Sequence, residues 1–91
     1  MDLINFMDFN NLMSYFVYIL KCKDGTLYTG ITNDLAKRLE AHKKGTGARY
    51  TRSHPPEKIV YSEKYRTKGL ALNREAEIKR LSRPQKLKLI A

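Results

Sequence analysis

The sequence has one cysteine, Cys22, no tryptophan and only two histidines, His42 and His54, in 91 residues. One thiol excludes an internal disulfide framework. Without a CxxC pair or clustered histidines, structural zinc is not expected. No apolar run approaches the roughly 18 residues that would span a bilayer. A signal peptide is not expected either, because Met1 to Met13 has no basic start and carries Asp2 and Asp8. These absences suit a reducing, cytoplasmic setting. Acidic residues are scarce as well: 9 Asp and Glu face 18 Lys and Arg, for a net charge of +9. Every Lys and Arg lies at or after Lys21, so the region beyond the first dozen residues is more basic still. Such a surplus attracts phosphate backbones or anionic lipid heads. Solubility is the blander account of it, and charge alone does not decide between them.

What is present fits one small domain, with 42% hydrophobic residues, enough for a modest core. Residues 1–12 show no period and are expected to form a disordered tail, leaving 13–91 as a single domain. Residues 15–22, YFVYILKC, are aromatic and β-branched and read as a strand. Asp24-Gly25 signals a hairpin, and residues 26–31 return as a second strand. Thr32, Asn33 and Asp34 offer caps for a helix from Leu35 to about Lys44, ended by Gly45 and Gly47. Residues 48–56 read as a basic, proline-terminated connection and 58–65 as a third strand. A helix is expected from Thr67 or Lys68 to about Leu81, and Ser82 caps a last one with Pro84 in its first turn. The order is β-β-α-β-α-α, an α/β chain of the α+β type.

Several polar residues fall where apolar ones belong. On the first helix Leu35, Leu39 and His42 share a stripe, with Arg38 at its edge. A hydrogen-bonded boundary histidine and an arginine covering the core with its stem would account for these two taken singly. On the next long helix Ala71, Leu72 and Ile78 define the apolar face, and Glu75 lies in its middle. Carboxylates are rarely buried unless paired or bound to metal. An ion pair to Arg38 or Lys79 is one reading, and a metal ligand or general acid/base is the other. Tyr18 and Tyr28 are core aromatics or site groups, depending on the hairpin. A two-residue loop puts them on opposite faces; an odd-numbered loop puts Tyr18, Tyr28 and Gly30 on one face.

The ordered set Phe16-Val17-Tyr18, Tyr28-Thr29-Gly30, Asn33-Asp34-Leu35 with Arg38 and His42, and Ala71-Leu72 with Glu75 resembles the GIY-YIG nuclease superfamily. Within it the chain is similar to the small stand-alone UPF0213 group, whose segments resemble residues 47–52 and 75–79. The likeness runs over about residues 14–90. It implies a three-stranded antiparallel sheet flanked by helices and hydrolysis of phosphodiesters with one divalent ion, magnesium or manganese. By position it implies that Glu75 holds the metal and Arg38 holds the scissile phosphate. Tyr18 is then the base or water-positioning hydroxyl, Tyr28 orients phosphate or water, and His42 assists proton transfer. Gly30 would let the backbone approach closely. The two signature triplets here are Phe-Val-Tyr and Tyr-Thr-Gly, which keep the tyrosines and the final glycine. The second module common among such nucleases does not fit in 91 residues.

Arg49, Tyr50 and Arg52, with His54, make a candidate nucleic-acid contact; the blander account is a solvated loop with Tyr50 packed inward. Arg80, Arg83, Lys86 and Lys88 read as a solvated face acting at long range. Three functions are in view: an endonuclease acting on DNA more than RNA, a non-catalytic nucleic-acid-binding module, and an interaction subunit whose protein partner supplies specificity. The set Tyr18, Tyr28, Arg38, His42 and Glu75 favours the first. The third would show as exposed apolar surface.

Overall fold

The computed structural model describes residues 14–91; the tail expected over 1–12 lies outside them. Three strands, β1 (Tyr15–Cys22), β2 (Leu27–Thr32) and β3 (Pro56–Tyr65), form one antiparallel sheet in the order β2-β1-β3. The helices are α1 (Leu35–Lys43), α2 (Arg49–Ser53), α3 (Lys68–Lys79) and α4 (Arg83–Ile90). β1 is the central strand, and Val17, Tyr18, Ile19 and Leu20 are all buried. Burial on both faces explains why it reads as an unbroken aromatic and β-branched run rather than an alternating one.

The hairpin settles the register. Cys22 N–H donates to the Thr26 carbonyl at 2.9 Å, and Gly25 N–H donates to the Cys22 carbonyl at 2.9 Å. The loop is therefore the three residues Lys23-Asp24-Gly25, with Gly25 at φ +87°, where a side chain would be strained. Asp24 Oδ1 closes it by accepting from the Thr26 amide at 3.0 Å and hydroxyl at 2.6 Å. Tyr18 consequently lies opposite Gly30 and Leu20 opposite Tyr28. With side chains alternating along each strand, Tyr18, Tyr28 and Gly30 share a face.

The other face carries the apolar core. Val17 and Ile19 cluster with Ala71 and Ile78, and Ile31, Val60, Leu89 and Ile90 pack around them. The face of α3 is narrower than expected: Ala71 and Ile78 are buried, but Leu72 is 43% exposed. A helix turns about 100° per residue, which carries Leu72 off the Ala71 stripe. β3 pairs with β1 through two register shifts, between Ile19 and Leu20 and between Lys21 and Cys22. A polar pin joins β3 to α3. Glu63 accepts from Arg74 Nε at 2.9 Å and Nη2 at 3.1 Å, from the Tyr65 hydroxyl at 2.6 Å and from the Tyr61 hydroxyl. Arg74, then the tyrosines, hold its carboxyl at about 2, well below the ordinary 4.5.

The caps follow the sequence. Asp34 accepts from Lys37 N–H at 3.1 Å, Thr67 caps α3, and Ser82 forms a capping box with Gln85 on α4. At the end of α1, Gly45 at φ +79° donates to His42 O and Thr46 N–H to Ala41 O, a Schellman stop. The addition to the expected order is α2, which lies where a plain connection was read, giving β-β-α-α-β-α-α. Its sequence RYTRS has no apolar period. Local bonds hold it instead: Thr51 Oγ1 donates to Ala48 O at 3.1 Å and His54 N–H to Tyr50 O at 3.0 Å. Pro55 and Pro56 follow and forbid a longer helix.

Candidate active site

The hairpin register and the stripe of α1 meet at one hydrogen bond. Tyr18 Oη and His42 Nε2 are 2.8 Å apart, and Tyr18 and His42 are 0% and 1% exposed. His42 Nδ1 in turn lies 2.7 Å from Thr51 Oγ1. Burial pushes the Tyr18 hydroxyl above its ordinary value of 10.0; Arg38 opposes this, while Tyr28 and Glu75 add to it. Burial, and then the charge of Arg38, lowers His42 below the usual imidazole value of 6.5. At neutral pH the pair is therefore an uncharged phenol beside an uncharged imidazole.

Two glycines make room for this pair. A Cβ at Gly30 would lie 2.6 Å from Tyr18 Oη and 2.8 Å from Cζ. A Cβ at Gly47 would lie 2.5 Å from His42 Nδ1 and 2.9 Å from its backbone nitrogen. Gly30 carries the close approach expected of it. Gly47 was read only as a helix stop, and Thr51 only as part of a basic connection. The local signal for both is the segment Gly47-Ala48-Arg49-Tyr50-Thr51.

Tyr28 is half-buried, edge-on to His42 with ring centroids 5.3 Å apart, and 6.4 Å from the Tyr18 ring. Its other neighbour is Tyr50, stacked at 5.9 Å and 21°, and Tyr50 is stacked on His54 at 3.9 Å and 3°. A ladder of rings thus runs from the buried pair outward along α2. Tyr50 is packed inward with a ring on each side, whereas Arg49 and Arg52 of the same helix are exposed.

Arg38 lies one turn before His42, half-buried, with its Nε enclosed and without a hydrogen-bond partner among the described residues. A buried guanidinium nitrogen left unpaired is costly and marks a place for an anionic oxygen. The groove beside it is lined by Tyr15, Ile31, Thr32, Asn33, Arg38 and Lys68. Glu75 is 17% exposed at its side chain and pairs with Lys79 at 3.4 Å, so of the two expected partners Lys79 is the one in range. Its charge reaches Tyr18 as well. Arg74, its neighbour in sequence, is locked onto Glu63, which fixes the rotation of α3 and hence where Glu75 projects.

Tyr28, Gly30, Arg38 and His42 therefore gather round Tyr18, and the charge of Glu75 reaches it. Residues 14–88 match the GIY-YIG catalytic domain. The chain belongs to that family. UPF0213 proteins of Staphylococcus aureus are 53% identical to it over 77 residues, covering 85% of this chain and 94% of theirs. One from Staphylococcus saprophyticus is 52% identical over the same span. The solution structure of the UPF0213 protein from Bacillus halodurans superposes with a TM-score of 0.56 at 44% identity, covering 86% of this chain and 83% of that one. A protein from E. faecalis does so with a TM-score of 0.56 at 36% identity, covering 84% and 82%. Those names specify no reaction. Membership in the GIY-YIG family places the chain in a nuclease superfamily, with nucleic acid as the class of substrate.

Among the described residues no three His, Cys, Asp or Glu side chains gather to cage an ion. Glu75, whose charge reaches Tyr18, offers a single hard oxygen donor. That fits magnesium or manganese, which keep several waters and share their remaining positions with substrate phosphate. No helix among the described residues is long and apolar enough to cross a membrane.

Proposed function

We propose that this GIY-YIG domain is a metal-dependent endonuclease that hydrolyses phosphodiester bonds, in DNA before RNA, in a reducing cytoplasm. The observation that carries the reading is the buried Tyr18–His42 hydrogen bond flanked by the unpaired Nε of Arg38. A buried phenol needs a hydrogen-bond partner, which His42 supplies; an enclosed Arg38 Nε left unpaired among the described residues is what a purely structural pair would not require.

The chemistry follows from the residues. Arg38 takes the oxygens of the scissile phosphate as a planar fork, satisfying its own Nε. Tyr18 is fully buried in the free protein, so a water must enter beside the bound phosphate; it then gives a proton to Tyr18 Oη as Tyr18 gives its own to His42 Nε2. The water oxygen bonds to phosphorus, the ester P–O bond breaks, and the leaving oxygen takes a proton from solvent. Tyr28, edge-on to His42, orients the phosphate or the water. Glu75 would hold magnesium or manganese, which supplies charge neutralisation at the phosphoryl oxygens. Loss of Arg38 or Glu75 should each cost about 100- to 1,000-fold in rate. Arg49 and Arg52 position the strand, and Tyr50, braced by Tyr28 and His54, supports that surface.

The test is cleavage of labelled single-stranded, duplex, flap and junction DNA and RNA with magnesium or manganese, by wild type, Glu75→Ala and Arg38→Ala. Metal-dependent cutting lost in both variants supports the endonuclease. Salt-sensitive binding without cutting supports a binding module that keeps the fold. Leu70, Leu72 and Leu87 stand exposed on α3 and α4, the observation that favours a protein partner; co-purification lost on changing Leu70 and Leu72 to serine would establish one.

A further inference from the structure

We propose that Thr51 is a positioning residue: its hydroxyl holds His42 in the Nδ1–H form, so that Nε2 is the atom that takes the Tyr18 proton. The inference rests on the proton-transfer role given to His42 above.

The direction of the hydrogen-bond chain follows from counting protons. Thr51 Oγ1 lies 3.1 Å from the Ala48 carbonyl oxygen and 2.7 Å from His42 Nδ1. A carbonyl only accepts, so toward Ala48 Thr51 is the donor, and the inference assigns its single hydroxyl proton to that bond. The Thr51 oxygen is then left with lone pairs, and at 2.7 Å it accepts the N–H of His42 Nδ1. A neutral imidazole has one N–H, so Nε2 carries the lone pair and Tyr18 Oη, 2.8 Å away, is the donor. Every proton along Tyr18, His42, Thr51 and Ala48 points the same way. In the reverse chain Thr51 would give its proton to His42 Nδ1 and Nε2–H would point at Tyr18 Oη, leaving the Ala48 carbonyl with the Arg52 N–H alone. Thr51 is 2% exposed and His42 1%, so water does not offer a substitute partner.

The local fold is arranged for this contact. The short helix α2 has no side-chain cap at Ala48, and the Thr51 hydroxyl turns back to the Ala48 carbonyl instead. Gly47 keeps clear the space at His42 Nδ1 that a Cβ would fill. When Tyr18 Oη–H breaks and His42 Nε2–H forms, Nδ1–H stays bonded to Thr51, so the imidazolium is received without rearrangement. A carboxylate in this place would hold the same form of the ring but would also raise its basicity. A hydroxyl fixes the orientation and leaves the ring neutral at rest.

Nitrogen NMR of the metal-free, 15N-histidine-labelled full chain separates protonated from bare ring nitrogens without any nuclease assay. Wild type should show His42 as Nδ1–H. Thr51→Val, which keeps the shape and removes the hydroxyl, should shift the ring toward Nε2–H or a mixture, and Thr51→Ser should restore it. If cleavage is found, Thr51→Val should lower turnover about 10- to 100-fold with substrate binding unchanged, by analogy with outer-shell partners elsewhere, and Thr51→Ser should recover most of it. A wild-type His42 protonated at Nε2 overturns the proposal with no variant needed, as does an unchanged Nδ1–H signal in folded Thr51→Val. The expected ring forms in a protein that cuts nothing would support Thr51 as the group that orients His42 and count against the hydrolase reading alone.

Discussion

Replacing Gly30 by alanine adds one methyl group to the second strand, where the Tyr18 side chain already fills the space. The new Cβ would sit 2.6 Å from Tyr18 Oη, 2.8 Å from Cζ and 3.1 Å from Cε1. All three atoms belong to a fully buried ring whose hydroxyl is bonded to His42. The ring must move, and moving it forces overpacking, at about 1–3 kcal/mol. It also stretches or breaks a buried hydrogen bond, at about 1–3 kcal/mol. Against this, alanine restricts the unfolded chain and returns about 0.4–1 kcal/mol. The net expectation is a loss of about 1–5 kcal/mol, which at about 4–8 °C per kcal/mol for a domain of this size lowers Tm by at least about 4 °C. The assay is urea and thermal unfolding of wild type, Gly30→Ala, Tyr18→Phe and the double variant. Tyr18→Phe removes the nearest clashing atom, so the double variant should be about 1 kcal/mol more stable than the sum of the singles predicts. Gly30→Ala within about 0.5 kcal/mol of wild type, or strict additivity, would refute the claim that this glycine exists to seat the Tyr18 hydroxyl.

The Glu63 pin makes a prediction in acid. Its carboxyl stands at about 2 against an ordinary 4.5, so its contribution is fully present above 4.5 and disappears as pH falls through about 2. The upper size is about 3 kcal/mol, and Glu63→Gln should flatten the acid limb of stability measured by urea unfolding. His42 has the same sign for a different reason. Its value is lowered by burial, so stability is complete above the ordinary 6.5 and falls as the pH drops below it. His42→Gln, compared from about pH 7.5 to about pH 5, should lose less stability than wild type. On the surface, Arg49→Ala and Arg52→Ala should each reduce the slope of log binding constant against log salt by about one, measured on a fixed oligonucleotide. An unchanged slope would remove α2 from the strand-binding surface.

Sequence patterns carried the strands and the long helices because each has a strong local cause. β1 is a continuous apolar run, α1 and α3 have side-chain caps at Asp34 and Thr67, and α4 has its capping box. The Tyr18, Tyr28, Gly30 face was legible only as a choice between loop lengths, since one residue in the turn inverts the side of every strand residue that follows. α2 was not legible because its helical turn is held by tertiary contact, with Thr51 buried against His42, and by bonds internal to five residues. Leu72 misled for a related reason: a list of apolar residues ignores the angle between them, and the sheet touches only one stripe of α3. Thr51 and Gly47 are ordinary loop residues by composition, and their importance appears only when the ring of His42 is placed beside them.

The row of rings from Tyr18 through Tyr28 and Tyr50 has an optical consequence. The chain has six tyrosines and no tryptophan, so no brighter fluorophore masks them. Three of the six are coupled through close ring contacts at the site itself, and one of them is hydrogen-bonded to an imidazole. Their emission should be dim in the free protein and should change when a nucleotide strand disturbs the row. The native chain thus supplies its own unlabelled readout of site occupancy.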